Sequence, residues 1–383
     1  MSNDGPPKRK DIRQLTPDEK DNLIRAFLYI QNLKPGDRNS FFCIAGYHGE
    51  PFRGAGWGDP KWWGGFCNHG NILFPTWHRA YLWRLEQALR TAPGCGSLAL
   101  PYWNEISDST LSEGIPSIFL QKTYQFKNGD TVDNPLYSYT FQAPISDNLT
   151  PIPDADYSKP KGYKTVRYPF SGLVGPNDID KTNAHNQVMD DLGSSKTNQY
   201  LNDNVQIWLN LQTFKNTEGA VIHAGEKDKY LRCLNAPNYT VFSNTTSAQQ
   251  WNEDRVDDDN FIAEVPLESP HNAIHLAVGG FEVPGSNFNR VSDANGDMGE
   301  NDTAAFDPIF FFHHCFIDMM FWKWQTLHDG ATNKLDIIEH YAGTNSVDSQ
   351  GPTPGVAGGT WLTLDSALDP FVKDGKPMTS KAS

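Results

Sequence analysis

At 383 residues, with 38% hydrophobic and 12% aromatic side chains, the chain can hold one large or two ordinary domains and can build a real core. A formal net charge of −14 argues against nucleic acid as a main partner, which would want a basic face, and against an anionic membrane surface. No apolar run approaches the roughly 18 residues of a transmembrane helix.

The N-terminus, Met1 to Lys10, has no apolar signal region, as in an intracellular protein or a mature form with an added Met. Thr16-Pro17-Asp18-Glu19 opens the first helix: Thr16 caps it, Pro17 suits its first turn and Glu19 completes a capping box. Leu23, Ile24, Phe27, Ile30 and Leu33 then form an apolar stripe that ends near Pro35-Gly36. Residues 47–66, dense in Gly and Trp, read as a tightly turned, ordered loop that carries His48 in and His69 out. Trp77 to Arg90 reads as a helix with His78 in its first turn and Pro93-Gly94 as its stop.

From about 106 to 200 the pattern is weak, and surface loops with a few short helices or strands are expected. Residues 203–213 and 259–278 read as helices, and 303–328 as the last strong one. No repeat, low-complexity tract or linker divides the chain, so a single domain over 1–383 is expected. Sequons at Asn148, Asn238 and Asn244 lie in polar stretches and lean toward secretion, with a cytoplasmic location as the alternative.

Six histidines carry the chemistry, in two clusters: His48, His69 and His78, then His271, His275 and His314, with His313 alongside. Three imidazoles suffice for a metal ion where no thiolate or carboxylate is supplied, and imidazole suits Cu, Zn, Ni and Fe. Two such clusters suggest a binuclear centre. His271 and His275 are four apart, hence on one face of a helix, and Asn272 in place of Glu excludes the zincin motif. His313 and His314 point about 100° apart on a helix, so they do not both bind one ion, and periodicity does not choose between them. A satisfied core histidine explains any single one of these residues; it does not explain six in aromatic surroundings. His185, His223, His328 and His340 sit in unremarkable contexts.

Phe74-Pro75-Thr76-Trp77-His78-Arg79, and Asp307-Pro308-Ile309-Phe310-Phe311-Phe312-His313-His314 through Asp318, resemble the two copper signatures of the type-3 copper proteins: tyrosinases, catechol oxidases and hemocyanins. The resemblance covers roughly residues 20–330 and is closest to short fungal polyphenol oxidases, which consist of the catalytic domain alone. It implies a mainly α fold, with a central four-helix bundle around two copper ions, long loops, few short strands and no C-terminal lid domain.

By the same resemblance His48, His69 and His78 hold copper A, and His271, His275 and His314 hold copper B; the family places the ligand at the second histidine of the pair, leaving His313 outside. Cys67-Asn68-His69 matches a Cys-x-His whose sulfur is joined to the imidazole as a thioether. That suits the odd count of five cysteines and leaves Cys43, Cys95, Cys233 and Cys315 for two disulfides of open connectivity. Glu268 resembles the family's water-holding glutamate, and Asn272 the asparagine associated with monophenol activity; together they would hold a water that accepts the phenol proton. Asn301 stands where many members carry an apolar gate residue over copper B. Arg79 and Asp318 would orient the helices by ion pairing, and Phe310 would pack against a ligand imidazole.

The implied activity is oxidation of o-diphenols to o-quinones by O2, with some hydroxylation of monophenols, on small phenolic substrates. The alternatives are a strict catechol oxidase, an o-aminophenol oxidase and a hemocyanin-like oxygen carrier. A carrier would hide its coppers under a shielding domain, for which residues 330–383 offer little material. A binuclear zinc or iron hydrolase would want carboxylate bridges, which neither cluster supplies.

Overall fold

Thr16 Oγ1 accepts from the Glu19 N–H, and the Glu19 carboxylate accepts from the Thr16 N–H, so α1 runs Pro17–Asn32 with its capping box closed. The computed structural model describes residues 8–54, 64–147, 157–210, 214–215, 221–222, 225–258, 261–280, 291–329, 335–348, 353 and 356–381. Ten further α-helices follow among these: α2 (Phe41–Gly46), α3 (Phe74–Leu89), α4 (Asp108–Glu113), α5 (Ile179–Leu192), α6 (Ser194–Asn210), α7 (Glu226–Cys233), α8 (Tyr239–Ser243), α9 (Thr245–Glu253), α10 (Glu268–Gly279) and α11 (Ile309–Leu327). Three antiparallel two-stranded ribbons accompany them: β1 (Thr123–Gln125) with β2 (Thr131–Asp133), β3 (Phe214–Lys215) with β4 (Val221–Ile222), and β5 (Ala367–Lys373) with β6 (Lys376–Thr379). The protein is mainly helical with few short strands, as expected.

Several boundaries differ from the sequence expectation. The third helix starts at Phe74 rather than Trp77, which moves His78 beyond the first turn. The tenth starts at Glu268 rather than 259 because Pro266 precedes it and Pro270 is tolerated only in a first turn. Within 106–200 the structure has α5 and the start of α6, which are long helices rather than short ones. They escape a periodicity reading because they bury so little; in α5 only Thr182 and Met189 are buried. Residues 55–63 of the Gly- and Trp-rich loop, Asn148, His223, and residues 211–213 and 259–260 of two expected helices lie outside the described residues.

The chain divides into two compact units. The first comprises Met1–Pro51, Leu82–Gln206 and His275–Phe316. Its core is aromatic: Phe27 of α1 stacks on Phe312 at 5.7 Å, and Phe41 of α2 meets Phe311 edge-on at 5.8 Å. Arg167 grips Asp307 bidentately (2.6 and 2.7 Å) and also donates to the carbonyls of Phe119 and Leu136. Asp307 Oδ1 in turn accepts from the Ile309 N–H at the start of α11, so a fully hydrogen-bonded buried ion pair sets where that helix begins.

The second unit comprises Phe52–Tyr81, Ile207–Ile274 and Ile317–Ser383. Phe242 of α8 stacks on Trp324 of α11 at 4.7 Å, and the Trp324 indole donates to the Ala236 carbonyl. The β5–β6 hairpin covers α3: Phe371 packs on Trp77 and Tyr81, while Trp77 Nε1 donates to the Asp369 carbonyl at 2.7 Å. Trp77 is fully buried, so truncation to Ala would cost about 3–5 kcal/mol.

The structure bears on two points that the sequence left open. The two disulfides that the cysteine count allowed are not present: no two of the five cysteines are joined. The Cys43 thiol faces Tyr47 Oη, Cys95 the Asn22 carbonyl and Cys233 the Tyr230 carbonyl, so these thiols meet oxygen rather than sulfur. The sequons Asn238 and Asn244 are buried and cap α8 and α9 through their side chains, so neither is presented for glycosylation. Among the described residues no helix is long and apolar enough to cross a membrane.

Candidate metal centre

Each unit gathers histidines around one phenylalanine. In the second unit Phe74, at the start of α3, lies 4.8 Å from His78, 4.8 Å from His271 and 5.7 Å from His69, ring centre to ring centre. His69 and His78 are 5.1 Å apart, and His271 is within 6 Å of both. In the first unit Phe310, one turn before His314 on α11, stacks on His314 at 4.0 Å and meets His48 and His275 edge-on at 4.8 and 5.5 Å. Phe310 was expected to pack against a ligand imidazole; the matching place of Phe74 had no sequence signal beyond its aromatic setting.

The ring nitrogens are sorted by hydrogen bonds. His78 Nδ1 donates to the Phe74 carbonyl one turn back, at 2.8 Å, a bond the earlier start of α3 makes possible. His48 Nδ1 donates to the Asn301 carbonyl and His275 Nδ1 to the Met298 carbonyl, each at 3.0 Å. His271 Nδ1 donates to Asn272 Oδ1 at 2.8 Å. A carbonyl only accepts, so these imidazoles carry their proton on Nδ1 and turn a lone pair out at Nε2, the tautomer a metal requires. Consistently, the Nε2 atoms of His275 and His314 converge to 3.2 Å. Burial, with the nearby His313 second, pushes the His275 pKa down to about 3, so it is a neutral donor.

His313 leaves its neighbour's direction as helical geometry demands. Its Nδ1 donates to Glu105 Oε1 at 2.6 Å, with neither side chain exposed. Glu105 carried no sequence signal other than a carboxylate two residues after the apolar run Leu100-Pro101-Tyr102-Trp103.

In the second unit Arg79 Nε donates to Asp318 Oδ1 at 2.5 Å and Arg79 Nη2 to Gln325 Oε1 at 3.0 Å, joining α3 to α11. Glu268 is buried at the start of α10. Its Oε1 accepts from the Gly70 N–H at 2.6 Å and its Oε2 from the Thr245 N–H and hydroxyl at 2.8 and 3.0 Å. Burial raises its pKa above the usual carboxylate value, against the pull of those donors. Asn272 is exposed, and Asn301 is half-buried with its carbonyl committed to His48. Cys67 is buried two residues from His69.

Among the described residues every group of side chains able to hold a metal ion is made of histidines alone. Neutral imidazoles without a carboxylate suit copper and lack the bridges of a hydrolytic di-zinc or di-iron site. The fold and site therefore define a helical metalloprotein with an all-imidazole copper-type centre.

The comparisons agree. Residues 38–327 match the common central domain of tyrosinase. A tyrosinase of Aspergillus oryzae is 53% identical over 385 residues, which is 97% of this chain and 70% of that relative. The structure of a tyrosinase from Burkholderia thailandensis at low pH superposes with a TM-score of 0.84 at 47% identity, covering 98% of this chain and 72% of the other. A copper-bound active tyrosinase of Aspergillus oryzae, a mutant complexed with L-tyrosine, gives a TM-score of 0.62 at 25% identity over 86% of this chain and 83% of that one. The chain belongs to the tyrosinase family of type-3 copper proteins. It is a copper-dependent polyphenol oxidase that uses two copper ions and O2 to oxidise phenols.

Proposed function

We propose that the protein acts on both monophenols and o-diphenols, hydroxylating the first and oxidising the second to o-quinones, through one catalytic domain spanning 1–383. In this reading His48, His69 and His78 hold copper A, and His271, His275 and His314 hold copper B. The carrying observation is the Nδ1 sorting: three histidines donate Nδ1–H hydrogen bonds to backbone carbonyls and keep Nε2 for metal. When bound, the two coppers activate O2 and take up the electrons of the phenol. His313 stays outside, held by Glu105.

A free phenol ionises near pKa ~10, so hydroxylation benefits from a base. Glu268 supplies it, through a water held with Asn272; burial makes its carboxylate more basic than usual. Asn301 gates the approach and hydrogen-bonds polar substituents on the ring, while Arg79 and Asp318 hold α3 against α11. The L-tyrosine complex of the Aspergillus oryzae relative supports a small phenol as substrate. The Cys67–His69 thioether forms by loss of the thiol hydrogen and one ring C–H hydrogen to O2; a peptide lighter by two hydrogens in the mass spectrum tests it. An extracellular location also belongs to this reading, without support from the buried Asn238 and Asn244, and assay of culture medium against cells tests it.

One observation favours a strict catechol oxidase instead: three donors already occupy the Glu268 carboxylate. Initial rates on tyrosol and on its catechol analogue decide. Turnover of both supports the proposal; catechol turnover with none of tyrosol selects the second reading.

A further inference from the structure

Two ligand histidines lean on one short stretch of backbone. The carbonyls of Met298 and Asn301, three residues apart, accept from His275 Nδ1 and His48 Nδ1. The stretch has close neighbours in the same unit. A Cβ on Gly49 would fall 2.3 Å from the Asp302 carbonyl oxygen, and one on Gly279 would fall 2.0 Å from the Gly299 nitrogen. The Glu50 N–H donates to the Asp302 carbonyl, and Gly296 N–H to the Gly279 carbonyl. Glycine is required at both approaches because any side chain would push the stretch away.

Its start is fixed by charge. Asp297, buried, accepts at Oδ2 from Tyr163 Oη (2.6 Å) and the Val166 N–H (2.8 Å), and its Oδ1 faces the buried Lys159 ammonium at 3.3 Å. Lys159 also donates to the Gly172 carbonyl and lies over the Tyr163 ring. The Asp297 carbonyl accepts from Thr303 Oγ1, which closes the stretch on itself. Among the described residues Oδ1 accepts no hydrogen bond and is compensated by the Lys159 ammonium alone; a buried carboxylate parted from its cation would be costly, so this network keeps one arrangement.

We propose that Asp297, held by Lys159 and Tyr163, is a positioning residue for both copper sets: it fixes residues 297–303 as a backbone bracket that orients the imidazoles of His48 and His275. The inference rests on the ligand assignment of the preceding section. It also places the gate residue Asn301 on the element that aims the ligands, so substrate selection and metal geometry share one support.

The test follows copper release from the reduced holoprotein to a Cu(I) chelator, well below the unfolding temperature. Loss of a group supporting a ligand weakens metal binding about 10–100-fold, so Asp297→Asn should release both coppers at least about tenfold faster than the unsubstituted protein. Tyr163→Phe, which keeps the Val166 bond, should act in the same direction and less, and it decides the matter if Asp297→Asn does not fold. In both variants the Nδ1–H protons of His48 and His275 should exchange faster in NMR spectra. Leu23→Ala, a core truncation in α1, controls for lost stability alone. Release and exchange no faster than in Leu23→Ala would overturn the bracket. If His275→Ala still binds two coppers, the ligand assignment fails instead, whatever Asp297 does.

Discussion

His313 donates from Nδ1 to Glu105 Oε1 across 2.6 Å, and both side chains are shielded completely from solvent. The bond supports the proposed choice of His314 over His313 as ligand, which helical periodicity leaves open. It turns the first histidine of the pair toward a carboxylate, so that the second, His314, faces His275.

Removing one side of a buried pair costs about 3–5 kcal/mol. Glu105→Ala should lower unfolding free energy by about that amount in urea titrations, and Glu105→Gln, which still offers an acceptor, by less.

The choice of His314 is checked by metal analysis. His314→Ala should drop copper below two per chain and abolish quinone formation. His313→Asn, which keeps a polar partner for Glu105, should retain both coppers. The reverse pattern would move the ligand to His313.

Asn301→Val should leave copper binding intact, since the carbonyl that holds His48 is unchanged. If Asn301 gates the site as proposed, its replacement makes the gate apolar, and apolar contacts of this size are worth about tenfold or more in substrate preference. The ratio of kcat/KM for 4-tert-butylcatechol over a carboxylated catechol should rise by about that factor.

Glu226 gives a pH prediction away from the metal. Burial raises its pKa from 4.5 to about 7 although Lys229 sits at 2.8 Å; the ammonium is partly exposed and its attraction is screened. A raised carboxyl pKa means the folded state holds the proton more tightly. The resulting stabilisation is fully present below pH 4.5 and is lost as pH rises to about 7. The change is on the order of 3 kcal/mol, and Glu226→Gln should flatten it in urea titrations at pH 5 and pH 8.

Much of the site is legible in the order of residues because metal chemistry needs particular side chains at particular spacings. The i,i+4 pair His271 and His275, the aromatic company of His78 and the His313-His314 pair all declare themselves. So does the start of α1, where Thr16 and Glu19 are local partners. The amphipathic reading fails at α5, whose face is mostly solvated, and it misplaces the start of α10, where a proline, not periodicity, sets the boundary.

By itself, then, the sequence determined the helical class and the family, and it supplied the histidines proposed as the metal's donors, since these depend on residue type and short-range spacing. Tertiary structure alone decided which nitrogen His48, His78, His271 and His275 turn outward, that Glu105 claims His313, and that Cys43, Cys95 and Cys233 turn to oxygen rather than to each other. The reason is physical: every residue has a carbonyl, so a bond such as His275 to Met298 has no signature until folding brings the two together.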